Sequence, residues 1–167
     1  SFQRSQREAL KKSLDKLAKM KVFADIKDPV EWQRQIRKDR PLPGGMYDAD
    51  GQQIIIYVTS GQYPELTSWF LDNAPSASVL AGGGFGISQP EAAEKAELER
   101  FFSRLNVIYP TAEEFDRAIE LRQRHAISLG DALIAATALY HGLTLATHNK
   151  KDFEWIKSLK VIDPMQE

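Results

Sequence analysis

The order of apolar and polar positions divides the chain into two parts. In residues 6–21, Leu10, Leu14 and Leu17 recur at helical spacing and lysines occupy the other faces. This pattern predicts an amphipathic helix with one narrow apolar stripe. A helix with so narrow an apolar stripe must pack against another element, because an isolated helix of this length is only marginally stable in water. The dipeptide Asp28-Pro29 predicts the start of a second short helix over about 29–38.

A run rich in proline and glycine at 41–45 then predicts a linker. We therefore expect two units: residues 1–45, a basic helical segment that ends in this linker, and residues 46–167, one larger domain. The first unit has few apolar residues, so we do not expect it to fold alone.

Beyond the linker, strand-like runs alternate with segments of helical periodicity. The expected strands are 54–58, 78–80, 106–110, 143–147 and 160–162. The expected helices are 64–71, 88–104, 111–125 and 128–141, and the last three begin with capping-box sequences. Alternation of this kind requires crossover connections, so it predicts an α/β fold with a mostly parallel sheet.

Charge changes sign at the same boundary. Residues 1–45 contain 12 Lys and Arg against 6 Asp and Glu, whereas residues 46–167 contain 10 against 17. An acidic main domain argues against a bare nucleic-acid binder. The two units could bind each other or other partners, or they could simply have ordinary solvated surfaces.

Several classes of protein are disfavoured by composition and motif. The chain contains no cysteine, which excludes disulfides and thiolate metal sites and is consistent with a cytoplasmic protein. It has no apolar run long enough to cross a membrane and no apparent secretory signal. The glycines at 82–86 lack the spacing of a nucleotide-binding loop, and no GxSxG elbow is present.

Three polar positions lie where an α/β sheet places its sites, at the starts of helices and past the carboxyl ends of strands. Asp131 begins an otherwise apolar helix, and its spacing from Ser128 is that of a helix-capping pair. A carboxylate at the edge of a buried layer also requires a cation or several hydrogen-bond donors, so Asp131 could instead be a metal ligand. Asn149 and Asp152 follow the strand 143–147 and could be turn residues or ligands. Oxygen ligands of these types suit Mg²⁺ or Mn²⁺. His148, between strand and loop, stays unassigned.

The stretch DALIAATALYHGLTLATHN, residues 131–149, closely resembles the PIN-domain ribonuclease toxins of bacterial toxin–antitoxin pairs, the VapC type. The resemblance continues through 151–153 and 161–164 and extends more weakly back to about Met46. Residues 20–43 resemble the tail of a VapB-type antitoxin. The resemblance implies a PIN-like three-layer fold, with a mostly parallel central sheet flanked by helices and an N-terminal antitoxin-like helical extension.

The resemblance also implies a Mg²⁺- or Mn²⁺-dependent endoribonuclease. Its catalytic residues would be Asp50, Asp131, Asp152 and Asn149, of which Asp50, Asp131 and Asp152 would hold the metal. The sequence departs from the family pattern in two places. The apolar residues expected before Asp50 are missing, and glycines at 81–86 stand where a second acid is expected. Losing a ligand from such a site predicts impaired activity.

An antitoxin tail would place basic side chains at the acidic site. Arg34, Arg37, Lys38 and Arg40 are the candidates for this contact, and Arg suits forked contacts to carboxylates. The apolar anchors would be Phe23 and Trp32. The segment could bind its own chain or a neighbouring chain, and a homo-oligomer is expected.

Three functions therefore follow from the sequence. The first is a ribonuclease that acts on RNA and carries its own inhibitory segment. The second is a catalytically inactive toxin–antitoxin interaction module. The third, a DNA-binding regulator, rests only on the basic N-terminus and ranks last, because no helix-turn-helix or zinc pattern is present.

Overall fold

The computed structural model describes residues 2–22, 24, 26–28, 31, 57–76, 78–80 and 91–166. The helices whose bounds fall in these ranges are α1 (Phe2–Met20), α2 (Pro64–Asn73), α3 (Ala92–Ser103), α4 (Ala112–Arg124) and α5 (Leu129–His141). The strands are β1 (Ser78–Leu80), β2 (Asn106–Ile108), β3 (Leu145–Ala146) and β4 (Val161–Ile162). Short 3₁₀ turns occupy Ala74–Ser76 and Lys150–Asp152. The expected alternation of helices and strands is thus present.

The strands pair in parallel, as the alternation predicts. In one pair, β1 lies beside β2 with Ser78 opposite Asn106, and α3 makes the crossover between them. In the other pair, Leu145 of β3 lies opposite Val161 of β4. The parallel arrangement brings the residues that follow β3 and β4 to the same edge.

The apolar stripe of α1 forms part of a core shared with residues beyond the linker. Leu10 and Leu17 are fully buried and Leu14 nearly so. They belong to the same cluster as Phe70 of α2 and Phe101 of α3. The expectation that the first helix needs a partner is confirmed, and the partner is α2 and α3 of its own chain.

A second core surrounds α5. Every residue from Gly130 to Ala138 in this helix is buried. Helix α4 packs along it through Ala118 and Leu121, and Phe153 and Ile156 close the far side. The helix is apolar almost all round, and complete enclosure is what such a helix requires.

A buried polar contact joins α4 to α5. Glu114 is fully buried and its carboxylate accepts hydrogen bonds from the backbone and hydroxyl of Thr111 and from Nε2 of His141, at 2.7, 3.0 and 3.0 Å. Burial raises the pKa of Glu114, but the hydrogen bonds from Thr111 and His141 outweigh it and hold this pKa below its ordinary value. The expected Thr111–Glu114 capping box is confirmed and also connects the two helices.

Two local expectations were wrong. Tyr57 and Val58, placed at the end of a strand over 54–58, are helical and buried, while 54–56 lie outside the described residues. A short apolar run does not distinguish a strand from a buried helix by periodicity alone. Helix α3 is capped by Glu91 rather than Ser88, because Glu91 and Glu94 form the reciprocal hydrogen bonds of the capping box.

No helix in the described ranges has the length and apolar character needed to cross a membrane.

Replacing Leu17 with alanine tests whether α1 is part of the folded core. Because Leu17 is fully buried, Leu17→Ala should lower the free energy of unfolding by about 2–5 kcal/mol. Lys19→Ala, at an exposed position of the same helix, should change it by less than about 0.5 kcal/mol. Urea denaturation measures both, and equal effects of the two variants would show that α1 does not contribute to the cooperative core.

Candidate functional site

Ser128 holds Asp131 at the N-terminus of α5. The Ser128 hydroxyl accepts a hydrogen bond from the Asp131 backbone at 3.0 Å and donates one to its carboxylate at 2.6 Å. The predicted pairing of Ser128 and Asp131 is therefore confirmed. Asp131 is only 2% exposed, so the carboxylate lies inside the fold rather than on the rim of the helix. The positive end of the helix dipole favours its negative charge.

Asn149 and Asp152 form a second unit in the loop after β3. The side-chain amide of Asn149 donates to the carboxylate of Asp152, and its backbone donates to the buried hydroxyl of Thr147 at 3.1 Å. The carbonyl of Asp152 accepts a hydrogen bond from the indole of Trp155 at 3.0 Å. The structure thus brings Asn149 and Asp152 together. Their proximity to Asp131 stays a prediction.

The other predicted site residues lie outside the described ranges. These are Asp50 and the proposed inhibitory residues Phe23, Trp32, Arg34, Arg37, Lys38 and Arg40. Within the described ranges, no group of three or more His, Asp or Glu side chains is placed to hold a metal ion. The donor chemistry of Asp131, Asn149 and Asp152 fits a hard cation. Asp50, which lies outside these ranges, stays a predicted further donor.

A pair that sequence reasoning missed lies at the same edge. Nδ1 of His148 is 3.0 Å from the carboxylate of Asp163, which is 2% exposed and also accepts a hydrogen bond from the backbone of Met165. Because an ionised carboxylate can only accept, Nδ1 of His148 is the donor in this contact. The signal was present in the sequence, since both residues follow predicted strands that pair in parallel.

Tyr57 packs edge-on to His148, with ring centroids 6.0 Å apart. Burial raises the pKa of Tyr57 to about 12, and the negative charges of Asp28 and Asp163 add to the effect, as does Tyr63. Tyr57 therefore keeps its proton at neutral pH.

Parts of this chain are similar to known proteins. Residues 76–158 match the family model of the PIN domain, a range that includes Asp131, Asn149 and Asp152. A segment of 41 residues is 51% identical to Ribonuclease VapC1 of Rickettsia felis, covering 25% of this chain and 31% of that protein. The match therefore spans about a third of the length of this curated relative.

A solved structure is similar over a larger part of the chain. It is described as a toxin–antitoxin complex from Klebsiella pneumoniae, with a TM-score of 0.59 and 26% sequence identity. The similarity covers 72% of this chain and 98% of that chain. The fold class expected from the sequence, a PIN-like α/β arrangement, is confirmed.

Replacing Ser128 with alanine tests how α5 and Asp131 are held. Ser128→Ala removes the cap acceptor and the donor to Asp131, so the free energy of unfolding should fall by about 1 kcal/mol. Ser128→Thr keeps the hydroxyl and should stay within about 0.5 kcal/mol of the wild type. Thermal or urea denaturation of the two variants measures the difference. An equal loss in both would show that the hydroxyl does not stabilise this helix end.

Proposed function

We propose, from the premise that this chain carries a PIN domain of the VapC type, that it is a divalent-metal-dependent endoribonuclease of a toxin–antitoxin system. The observation that carries the proposal is the buried carboxylate of Asp131, held by Ser128 within the matched range. A carboxylate withdrawn from water at a helix N-terminus requires a cation or several donors. A metal site provides the cation and gives the residue a chemical role.

Asp131 and Asp152 are the proposed metal ligands in the described ranges, with Asn149 beside Asp152 and Asp50 completing the set. A bound Mg²⁺ or Mn²⁺ would polarise a phosphate and lower the pKa of an attacking water. Side chains of the protein orient the proposed ligands. Ser128 keeps the Asp131 carboxylate in one orientation, and Asn149 orients Asp152 by its side-chain amide.

The substrate in this proposal is RNA with accessible single-stranded segments, since unpaired bases can be reached and stacked by side chains. The acidic balance of residues 46–167 opposes RNA unless cations neutralise the site. Glycines at 81–86, in place of a further acid, remove one negative charge and one ligand. We therefore propose that activity is lower than a complete acidic set would support.

Replacing Asp131 with asparagine tests the nuclease proposal. With the full chain, cleavage of a labelled RNA in Mn²⁺ should fall by about 100-fold or more in Asp131→Asn, because a ligand and its charge are lost. Mn²⁺ affinity, measured by titration calorimetry, should fall with it. Asp116→Asn, which removes the same charge at an exposed position of α4, should leave both unchanged. Equal cleavage by wild type and Asp131→Asn would refute the proposal.

A second proposal concerns the N-terminal segment, which we take to be an attached inhibitor. The packing of α1 on α2 and α3 supports it, because the segment is anchored to the body it would inhibit. The charge of Asp28 acts on Tyr57, which contacts His148, the residue directly before Asn149. Along the chain, Asp28 lies between Phe23 and Trp32, the two proposed apolar anchors of the inhibitory segment. The opposite charges of the two units also favour this contact.

Substituting the arginines tests the inhibitor proposal more cleanly than truncation. Deleting residues 1–45 would strip Leu10, Leu14 and Leu17 from the core. The triple variant Arg34→Ala, Arg37→Ala and Arg40→Ala keeps α1, and RNA cleavage should rise about 10-fold or more if these side chains occupy the site. The control replaces the exposed Lys11, Lys12 and Lys19 of α1 with alanine, which removes the same charge. A comparable rise in both variants would show a general charge effect and contradict inhibition by the arginines.

A further inference from the structure

Two aromatic rings stack on the surface beside the candidate site. The rings of His125 and Trp155 have centroids 4.6 Å apart and planes inclined by 24°. Trp155 is half-buried and packs against the core around α5, whereas His125 is exposed at the C-terminal end of α4. The imidazole therefore forms the outer layer of the stack, and the indole supports it from the protein side.

Short connections tie this pair to both parts of the candidate site. The indole N–H of Trp155 donates to the carbonyl of Asp152 at 3.0 Å, and the Asp152 carboxylate accepts from Asn149. His125 lies three residues before Ser128, which holds Asp131. Arg122 donates to the carbonyl of Ile127 at 3.3 Å and so braces the loop between them. The rings are thus fixed to the elements that carry Asp131 and Asp152.

We propose that the outer face of His125, backed by Trp155, is a stacking platform for an unpaired nucleobase of an RNA strand. This inference deepens the proposed function and rests on it for the identity of the substrate. A nucleobase presents a flat face that stacks on aromatic rings irrespective of its sequence identity. A rigid, exposed ring loses little freedom when a base covers it, which favours binding.

The charges around the platform fit a strand that passes across it. Exposed Arg124 precedes His125, and exposed Lys151 lies in the turn that leads to Asp152. Exposed cations of this kind bind phosphates, although exposed Glu154 opposes them. Because residues 46–167 are acidic overall, uncharged stacking gives RNA a means of binding here that does not depend on net charge.

The affinity for a short RNA measures how much stacking on His125 contributes to binding. The full chain, with EDTA at low salt to prevent cleavage, is titrated into a labelled single-stranded RNA of about eight nucleotides and followed by fluorescence anisotropy. His125→Ala should weaken binding about 10-fold, the scale of one lost base stack. His125→Phe should restore it, because the ring and not the imidazole nitrogens forms the platform. Tyr140→Ala, which removes another exposed ring, should have no effect.

A strand of the same length without bases distinguishes stacking from phosphate attraction. Wild type and His125→Ala should bind this abasic strand equally, and only the base-containing RNA should shift the imidazole proton resonances of His125 upfield. Unchanged RNA binding in His125→Ala would overturn the platform and indicate that a protein partner, or nothing, covers these rings. An equal loss on the abasic strand would also overturn it, as would failure of His125→Phe to restore binding.

The two proposals can fail separately. If neither the wild type nor the triple arginine variant cleaves RNA with Mn²⁺ but His125→Ala still weakens binding of the base-containing strand, the platform stands and the nuclease proposal falls. If the wild type cleaves RNA while the His125 variants bind it normally, the nuclease proposal stands and the platform falls. Matching urea denaturation midpoints for His125→Ala and wild type show that neither result comes from unfolding.

Discussion

The enclosure of α5 is the constraint on which the candidate site depends. A helix that is apolar on nearly every face must be covered on every face, and α4, β3 and residues 153–159 supply that cover. Covering the helix also buries its first turn, and Asp131 with it. An ionised carboxylate in that position is costly unless donors or a cation satisfy it. Ser128 supplies one donor, and a metal ion is the cation that we propose for this site.

The polar groups around this helix end are arranged by the elements that bury it. The parallel pairing of β3 and β4 brings His148 next to Asp163, and the turn after β3 brings Asn149 next to Asp152. Phe153 and Ile156 anchor the following turn in the core, which positions Trp155 between them at the surface. The same short segment therefore contributes Phe153 and Ile156 to the core and Asn149 and Asp152 to the candidate site. Substitutions of its core residues should also displace these polar side chains.

The N-terminal helix ties the two proposed units together. Its leucines fill a core made by α2 and α3, which belong to the larger unit by sequence. An inhibitory segment attached in this way stays at high local concentration, because its anchor is part of the fold. Release of such a segment would have to involve residues after α1, since undocking α1 itself would expose the buried faces of Phe70 and Phe101.

The sequence by itself determined most of the described helices and the hydrogen bonds at two helix starts, because their signals are local. The capping pairs Thr111–Glu114 and Ser128–Asp131 lie within one helical turn, and their predicted roles are confirmed. The leucine stripe of α1 likewise predicted which face is buried. The family resemblance carried by 131–149 agrees with the PIN-domain match. Local hydrogen bonds and helical periodicity suffice for these features.

Only the tertiary structure decided the contacts between residues distant in sequence. Periodicity shows that a residue is buried but not which residue covers it, so the pairs His148–Asp163 and His125–Trp155 were not predicted. The same limit explains Tyr57, whose apolar run fits a strand or a buried helix equally well. Which strand lies beside which, and which helix fills a given gap, depends on packing across the whole chain, and that packing decided where the site's polar groups meet.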